Sequence, residues 1–114
     1  MSIKTRLRNR RKANDWLRRF EFKHDGVDRA HTYSIDFTVI MFLLPIIKKF
    51  KEVNDGYPYQ HTWESWNETI QKIIDGWQIF VDNGGTFCGL SDEATKKVLH
   101  ADELFFKHFH DLWW

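Results

Sequence analysis

One stretch of this chain repeats large apolar residues at the spacing of an α-helix. Intervals of 3, 4, 3, 4 and 3 residues separate six of them: Trp63, Trp66, Ile70, Ile73, Trp77 and Phe80. This a/d spacing, which we call the seam, is typical of a helix with one apolar face. Thr62 is placed to cap the start of the helix, and Asn83-Gly84-Gly85 to end it. The pattern therefore predicts a helix between these two signals.

Three other segments also have helical spacing. Residues 3–20 form a basic segment with apolar residues at broadly helical intervals. A second segment begins after Ser34, is almost entirely apolar over residues 39–47, and predicts a helix buried on most sides with a kink near Pro45. A last helix is expected to begin after Ser91 and to reach the C-terminus.

The sequence gives little indication of β-strands, because no segment alternates apolar and polar residues with period 2 over enough positions. Only residues 86–88 could pair briefly as a strand. A chain of 114 residues is long enough for one domain. The sequence therefore predicts a single all-α domain over residues 1–114, a three- or four-helix bundle with a basic N-terminal helix or arm over residues 1–23.

Charge is distributed unevenly. Residues 1–23, the basic arm, hold nine Lys or Arg against two acidic residues, a net charge of +7, while the rest of the chain carries −6. Such an arm could bind the phosphates of RNA or DNA, or those of a small ligand such as a cyclic nucleotide. A third interpretation is a solvated arm that pairs with acidic surfaces. Its candidate ligand-binding residues are Arg6, Arg8, Arg10, Arg11, Lys12, Trp16, Arg18 and Arg19.

Aromatic residues make up 17% of the chain and fall into two groups. Tyr57 and Tyr59 lie in a predicted loop, where an exposed ring can stack on a base, so they join the ligand-binding candidates. The seam residues Trp63, Trp66 and Trp77 are either core residues or part of an interface in a homo-oligomer. Two more interface candidates, Trp113 and Trp114, stand at the C-terminus.

Catalytic and metal-binding motifs are missing. There is no phosphate-binding glycine loop and no paired Cys or Cys/His spacing, so neither an enzyme nor a cofactor or metal site is predicted. Cys88 is the single cysteine, which suits a reducing compartment such as a bacterial or host cytoplasm. His108 and Asp111 are three apart and can share a helix face. Residues 35–47 are too few to span a membrane, which needs about 20 apolar residues.

Several motifs together resemble a family of small tailed-phage proteins. They are YSIDFTVIMFLLPIIKKFKE at residues 33–52, Gly56-Tyr57-Pro58, a helix containing Trp66, and the ending DELFFKHFHDLWW. The chain departs from the family pattern at Phe37-Thr38-Val39 and Ile46. The resemblance implies a phage source and a location in the host cytoplasm, but no particular chemistry.

Small phage accessory proteins often act by binding, in host takeover or counter-defence. We therefore expect a non-enzymatic accessory protein that sequesters a nucleotide immune signal, such as a cyclic nucleotide. The alternatives are an RNA- or DNA-binding module that uses the basic arm, and a protein-interaction or oligomeric structural component.

Overall fold

A computed structural model describes residues 15–20, 22–26 and 34–113. The chain divides into two compact units, Met1–Ile35 and Asp36–Trp114. The prediction of a single domain stays a prediction. Five candidates of the basic arm, and one at the C-terminus, lie outside the described residues: Arg6, Arg8, Arg10, Arg11, Lys12 and Trp114.

The first unit contains helical residues 15–20 and 22–25. Trp16, Phe20 and His24 are four residues apart, so they lie on one helix face. Their rings stack in a column with centroid separations of 5.7 Å at both steps. All three side chains are exposed. The predicted helix over residues 3–20 is confirmed for 15–20, and the remainder lies outside the described residues.

From residue 34 onward the structure consists of three α-helices, α1 (Ile35–Val53), α2 (Trp63–Asp82) and α3 (Asp92–Lys107), followed by a short 3-10 helix (Phe109–Asp111). No strand occurs between residues 34 and 113. The all-α class predicted from the sequence is confirmed. None of the described helices has the length and apolar character needed to cross a membrane.

Local capping signals set the ends of α2 and α3. Thr62 accepts a hydrogen bond from the Ser65 backbone N–H at 3.1 Å, while the Ser65 hydroxyl accepts one from the Thr62 backbone N–H at 3.0 Å. Gly84 and Gly85 follow α2 with φ angles of 72° and 77°, a conformation that favours glycine. Ser91 caps α3 by accepting from the Ala94 backbone N–H at 3.1 Å. The predicted start and end of α2 and the predicted start of α3 are confirmed.

The seam of α2 forms the centre of the core. Trp66 and Trp77 are only 1% and 2% exposed and pack with buried residues from α1 and α3. The structure therefore corrects their assignment as interface candidates, because side chains already buried within one chain have no surface left for a partner. The other fully or nearly buried members of the core are Ile40, Leu44, Ile47, Phe50, Ile70, Ile73, Ile74, Phe80, Val98, Ala101 and Phe105.

The expectation that α1 is buried on most sides is wrong. Its core face consists of Ile40, Leu44, Ile47 and Phe50, whereas much of its opposite face is apolar and exposed. A continuous apolar stretch does not indicate which face of the helix will be buried. In this unit α2 and α3 pack against only one face of α1. Pro45 lies inside α1, which continues to Val53.

Helix α3 ends earlier than predicted. His108 leaves the helical conformation, with φ −103° and ψ 16°, and its buried ring lies 3.3 Å from the Asp111 carboxylate. The 3-10 helix follows in place of further α-helical turns. The brief pairing that residues 86–88 could have made does not occur. The Asn83 side chain donates to the Thr86 and Cys88 carbonyls at 2.6 and 3.0 Å instead.

Candidate functional site

The loop between α1 and α2 is fixed by its own hydrogen bonds. Asn54 follows directly after α1 and is only 6% exposed. Its side-chain amide donates to the Gly56 carbonyl at 2.7 Å, and its side-chain oxygen faces the Gly56 N–H at 3.4 Å. Further along, the His61 N–H donates to the Pro58 carbonyl at 2.9 Å. These hydrogen bonds fix the backbone of the loop, and residues 55–60 form a wall on one side of a concave surface.

This wall forms one side of a pocket of about 470 Å³, which we call the aromatic pocket. Tyr57, Tyr59 and Trp113 line it and are 55%, 99% and 75% exposed. Two of these rings come from the loop, and the third comes from the segment after the 3-10 helix. Three exposed aromatic side chains from distant parts of the sequence therefore meet at one concave surface, a feature typical of ligand sites.

Two carboxylates, Asp55 and Asp111, also line the aromatic pocket. Among the lining residues in the described part of the chain there is no Lys or Arg. The pocket wall thus offers hydrogen-bond acceptors and negative charge, and it suits a ligand group that donates hydrogen bonds or carries positive charge. A bare phosphate does not fit this lining.

An aromatic cluster lies beneath the pocket. Trp66, which reaches the pocket wall, packs its ring against His61 and His108, each with centroids 5.3 Å away, and the two histidines are 4.9 Å apart. Burial lowers the pKa of His61 below its usual value of 6.5, and the positive charges of His108 and Lys107 lower it further. The neutral imidazole is therefore the form of His61 that this environment favours.

The remaining sequence-predicted residues lie elsewhere. Trp63 is 42% exposed at the start of α2 and does not line the pocket, and Trp77 is in the core. Trp16, Arg18 and Arg19 belong to the first unit. The structure therefore brings together four of the predicted side chains at the pocket, the exposed Tyr57, Tyr59 and Trp113 and the buried Trp66.

Sequence reasoning missed the polar part of the site. Asp111 was predicted only to share a helix face with His108. The two side chains do lie 3.3 Å apart, although both residues follow the end of α3. Neither Asp55 nor Asn54 was predicted as a site residue. Asn54 and Asp55 stand at the start of the predicted loop, and nothing in the sequence indicated that this loop would lie beside Trp113. Only the fold brings residues 54–60 and 111–113 together.

Other site chemistry is sparse in the part of the chain that the structure covers. It contains no group of three or more His, Cys, Asp or Glu arranged to hold a metal ion. Cys88 is an exposed free thiol. No protein-family model, curated protein or solved structure matches this chain. The resemblance to a phage family therefore stays a prediction.

Proposed function

We propose that this protein is a non-catalytic binding protein that captures a nucleotide by inserting its base into the aromatic pocket. The observation that carries this proposal is the convergence of three exposed rings and two carboxylates on one concave surface. Stacking on aromatic side chains is the usual way in which proteins hold a base that is free of a duplex. A volume of about 470 Å³ is ample for a purine.

The two carboxylates in the pocket wall indicate which base the pocket would prefer. Asp55 and Asp111 accept hydrogen bonds and cannot donate them when ionised. A guanine ring presents adjacent N–H donors on its Watson–Crick edge, so one carboxylate can accept two hydrogen bonds from it. Adenine presents a single amino group on that edge. We therefore propose a preference for guanine over adenine nucleotides.

Phosphate binding by the basic arm is a separate proposal. The aromatic pocket is lined by acidic side chains, whereas residues 1–23 carry a net charge of +7. Arginine guanidinium groups are well suited to phosphate because they bind it in a bidentate manner. The arm and the pocket are separate parts of the proposal, and each has its own test.

The test of the pocket is titration calorimetry with GMP, AMP, cyclic di-GMP, cyclic di-AMP and cyclic ADP-ribose isomers. We expect heat from the guanine ligands, and we expect Tyr59→Ala and Trp113→Ala each to weaken binding by about 1–3 kcal/mol, the usual contribution of one stacked base. Asp55→Asn should reduce the preference for guanine. Phe106→Ala is the matched control, because Phe106 is 68% exposed and lies outside the pocket.

An absence of heat with every ligand, while circular dichroism shows a folded protein, would refute the pocket proposal. The arm is tested by deleting residues 1–12, which should weaken binding of the cyclic dinucleotides and make the remaining binding less sensitive to salt. Unchanged affinity after the deletion would remove the arm from the proposal and leave the pocket in place.

The biological role that we propose is counter-defence. A phage accessory protein that sequesters a cyclic nucleotide in the host cytoplasm would lower the concentration of an immune signal without catalysis. The phage resemblance and the absence of catalytic motifs from the sequence support this role. Expression of the protein in bacteria that carry a nucleotide-signalling defence should restore phage growth, and Trp113→Ala should abolish the effect.

A second candidate function is binding of RNA or DNA by the first unit. The observation that favours it is the exposed column of Trp16, Phe20 and His24 on a helix that also carries Arg18 and Arg19. Exposed rings beside basic residues suit a single-stranded nucleic acid. Electrophoretic mobility shifts should weaken about linearly with salt on logarithmic axes. Trp16→Ala should weaken this binding while Tyr59→Ala should not, which separates the two candidates.

A further inference from the structure

Helix α1 carries a second apolar face that points away from the core. Val39, Phe42, Ile46, Lys49 and Val53 follow one another at intervals of 3, 4, 3 and 4 residues, and we call them the outer stripe. This is the a/d spacing of a helix that packs against another helix. Its four apolar members are 41%, 70%, 48% and 40% exposed in chain order. Exposed apolar stripes of this kind mark interaction surfaces.

A groove lies on the same side of the molecule. Ile46, Lys49, Phe50 and Val53 line it together with Leu112 and Trp113, and its volume is about 530 Å³. The four α1 residues stand at positions i, i+3, i+4 and i+7, the arrangement that forms a hole for one side chain of a facing helix. The outer stripe and the groove beside it therefore supply both a protruding side chain, Phe42, and a hole.

We propose that the outer stripe is the interface of a homodimer, in which α1 packs antiparallel against α1 of a second copy and Phe42 of each copy enters the groove of the other. The two-fold axis would pass near residues 45 and 46, about midway along α1 between Phe42 and the centre of the hole. Rotation about this axis places Phe42 of each copy over the hole of the other copy. One surface thus supplies both halves of an isologous contact.

Charge favours this arrangement. Lys49 is the one charged member of the outer stripe, and its ammonium group lies 3.0 Å from the Glu52 carboxylate of the same helix. Antiparallel pairing places Lys49 beside the ring of Phe42 of the second copy, where a cation is attracted to the aromatic face. It also separates the two Lys49 residues by about 10 Å along the helix axis, whereas in-register parallel pairing would place them face to face.

The available area suits a reversible dimer. With about 150–250 Å² for a fully uncovered aromatic side chain and the exposures of Val39, Phe42, Ile46, Val53 and Trp113, the outer stripe and the groove offer roughly 500 Å² of apolar surface per copy. Complete pairing would therefore bury about 1,000 Å², the lower limit for a specific interface. We therefore expect a dissociation constant in the micromolar range. Trp113 lines both the groove and the aromatic pocket, so dimerisation is measured without nucleotide.

Sedimentation velocity of the full chain from about 1 to 200 μM should show conversion from monomer to dimer across that range. Phe42→Ala should weaken dimerisation at least tenfold and leave the circular dichroism spectrum unchanged, since the side chain is 70% exposed. Phe106→Ala is the matched control, because Phe106 is 68% exposed on α3 and should leave dimerisation unchanged.

Cysteine cross-linking tests the antiparallel register. In a Cys88→Ser background, Ile46→Cys stands beside the two-fold axis and should form an intermolecular disulfide under mild oxidation. Val39→Cys should not, because the two copies of this residue are about 20 Å apart along the axis. Cross-linking at both positions would indicate parallel pairing and overturn the proposed geometry.

Two other results would overturn the dimer itself. One is a protein that stays monomeric at every concentration while its circular dichroism spectrum shows a folded state. If Phe42→Ala then lowered the melting temperature of this monomer, another part of the same chain would be covering the outer stripe. The other is a dimer that Phe42→Ala leaves intact, which would place the interface on a different surface.

Discussion

Gly76 allows α2 and α3 to approach each other, and Gly76→Ala should destabilise the fold. A Cβ atom at this position would lie 2.5 Å from the Ala101 Cβ and 2.5 Å from the Lys97 carbonyl oxygen. Carbon atoms in contact prefer about 3.5–4.0 Å. The carbonyl oxygen belongs to the backbone of α3, so relief requires the two helices to separate.

The magnitude follows from two opposing effects. Inserting a methyl group into a packed core costs about 1–3 kcal/mol, and rigid backbone at the contact places this case near the upper end. Replacing glycine by alanine within a helix contributes about 1 kcal/mol in the other direction. We expect a net loss of about 2 kcal/mol. In a domain of this size it lowers the melting temperature by roughly 8–16 °C.

The assay is urea unfolding followed by circular dichroism at 222 nm. Gly56→Ala is the matched control, because nothing lies within 4 Å of a Cβ at Gly56 and its φ is not positive, so its stability should equal or slightly exceed that of the parent. Ala101→Gly removes one of the two close contacts but itself costs about 1 kcal/mol within α3. The double variant should therefore lose less stability than the sum of the two single losses. A Gly76→Ala variant as stable as the parent would refute this account of the helix contact.

Two further predictions concern the core and the aromatic cluster. Trp77→Phe removes the indole N–H that donates to Asp102 Oδ1 at 2.8 Å, and it should cost about 1–3 kcal/mol of unfolding free energy. Asp102→Asn keeps an acceptor and removes a carboxylate whose pKa is raised by burial, so it should cost less in the same urea titration. Because the pKa of His61 is lowered in the folded state, the unfolded chain binds more protons between that pKa and 6.5. Stability should therefore fall as the pH is lowered through 6.5 into this window, and His61→Asn should reduce the fall; a parent whose urea midpoint does not change there would contradict the cluster.

The start and end of α2 and the start of α3 were predictable because the residues that determine them act locally. Thr62, Ser91 and the glycines after α2 act within a few residues of themselves, and the structure shows each doing so. The seam was predictable in the same way, because its period alone identifies the buried face. These features require no knowledge of which segments become neighbours.

The features that sequence reasoning missed depend on contacts between distant segments. The apolar residues of α1 read as uniformly buried, but only the packing of α2 and α3 decides which face is covered and leaves Phe42 outside. The C-terminal helix was extended too far because the buried position of His108 was invisible in the sequence. The aromatic pocket was missed as a unit because Tyr57 and Trp113 are 56 positions apart.

The wall of the aromatic pocket is tied to the end of α1 by a buried side chain. Asn54 bonds to Gly56 from a position that is 6% exposed, and its backbone N–H donates to the Phe50 carbonyl at 2.8 Å. A ligand that enters the pocket therefore meets a wall that is already ordered, and little conformational entropy is lost on binding. In Asn54→Ala the free loop would regain that entropy, so affinity should fall, and calorimetry should show that most of the loss is entropic.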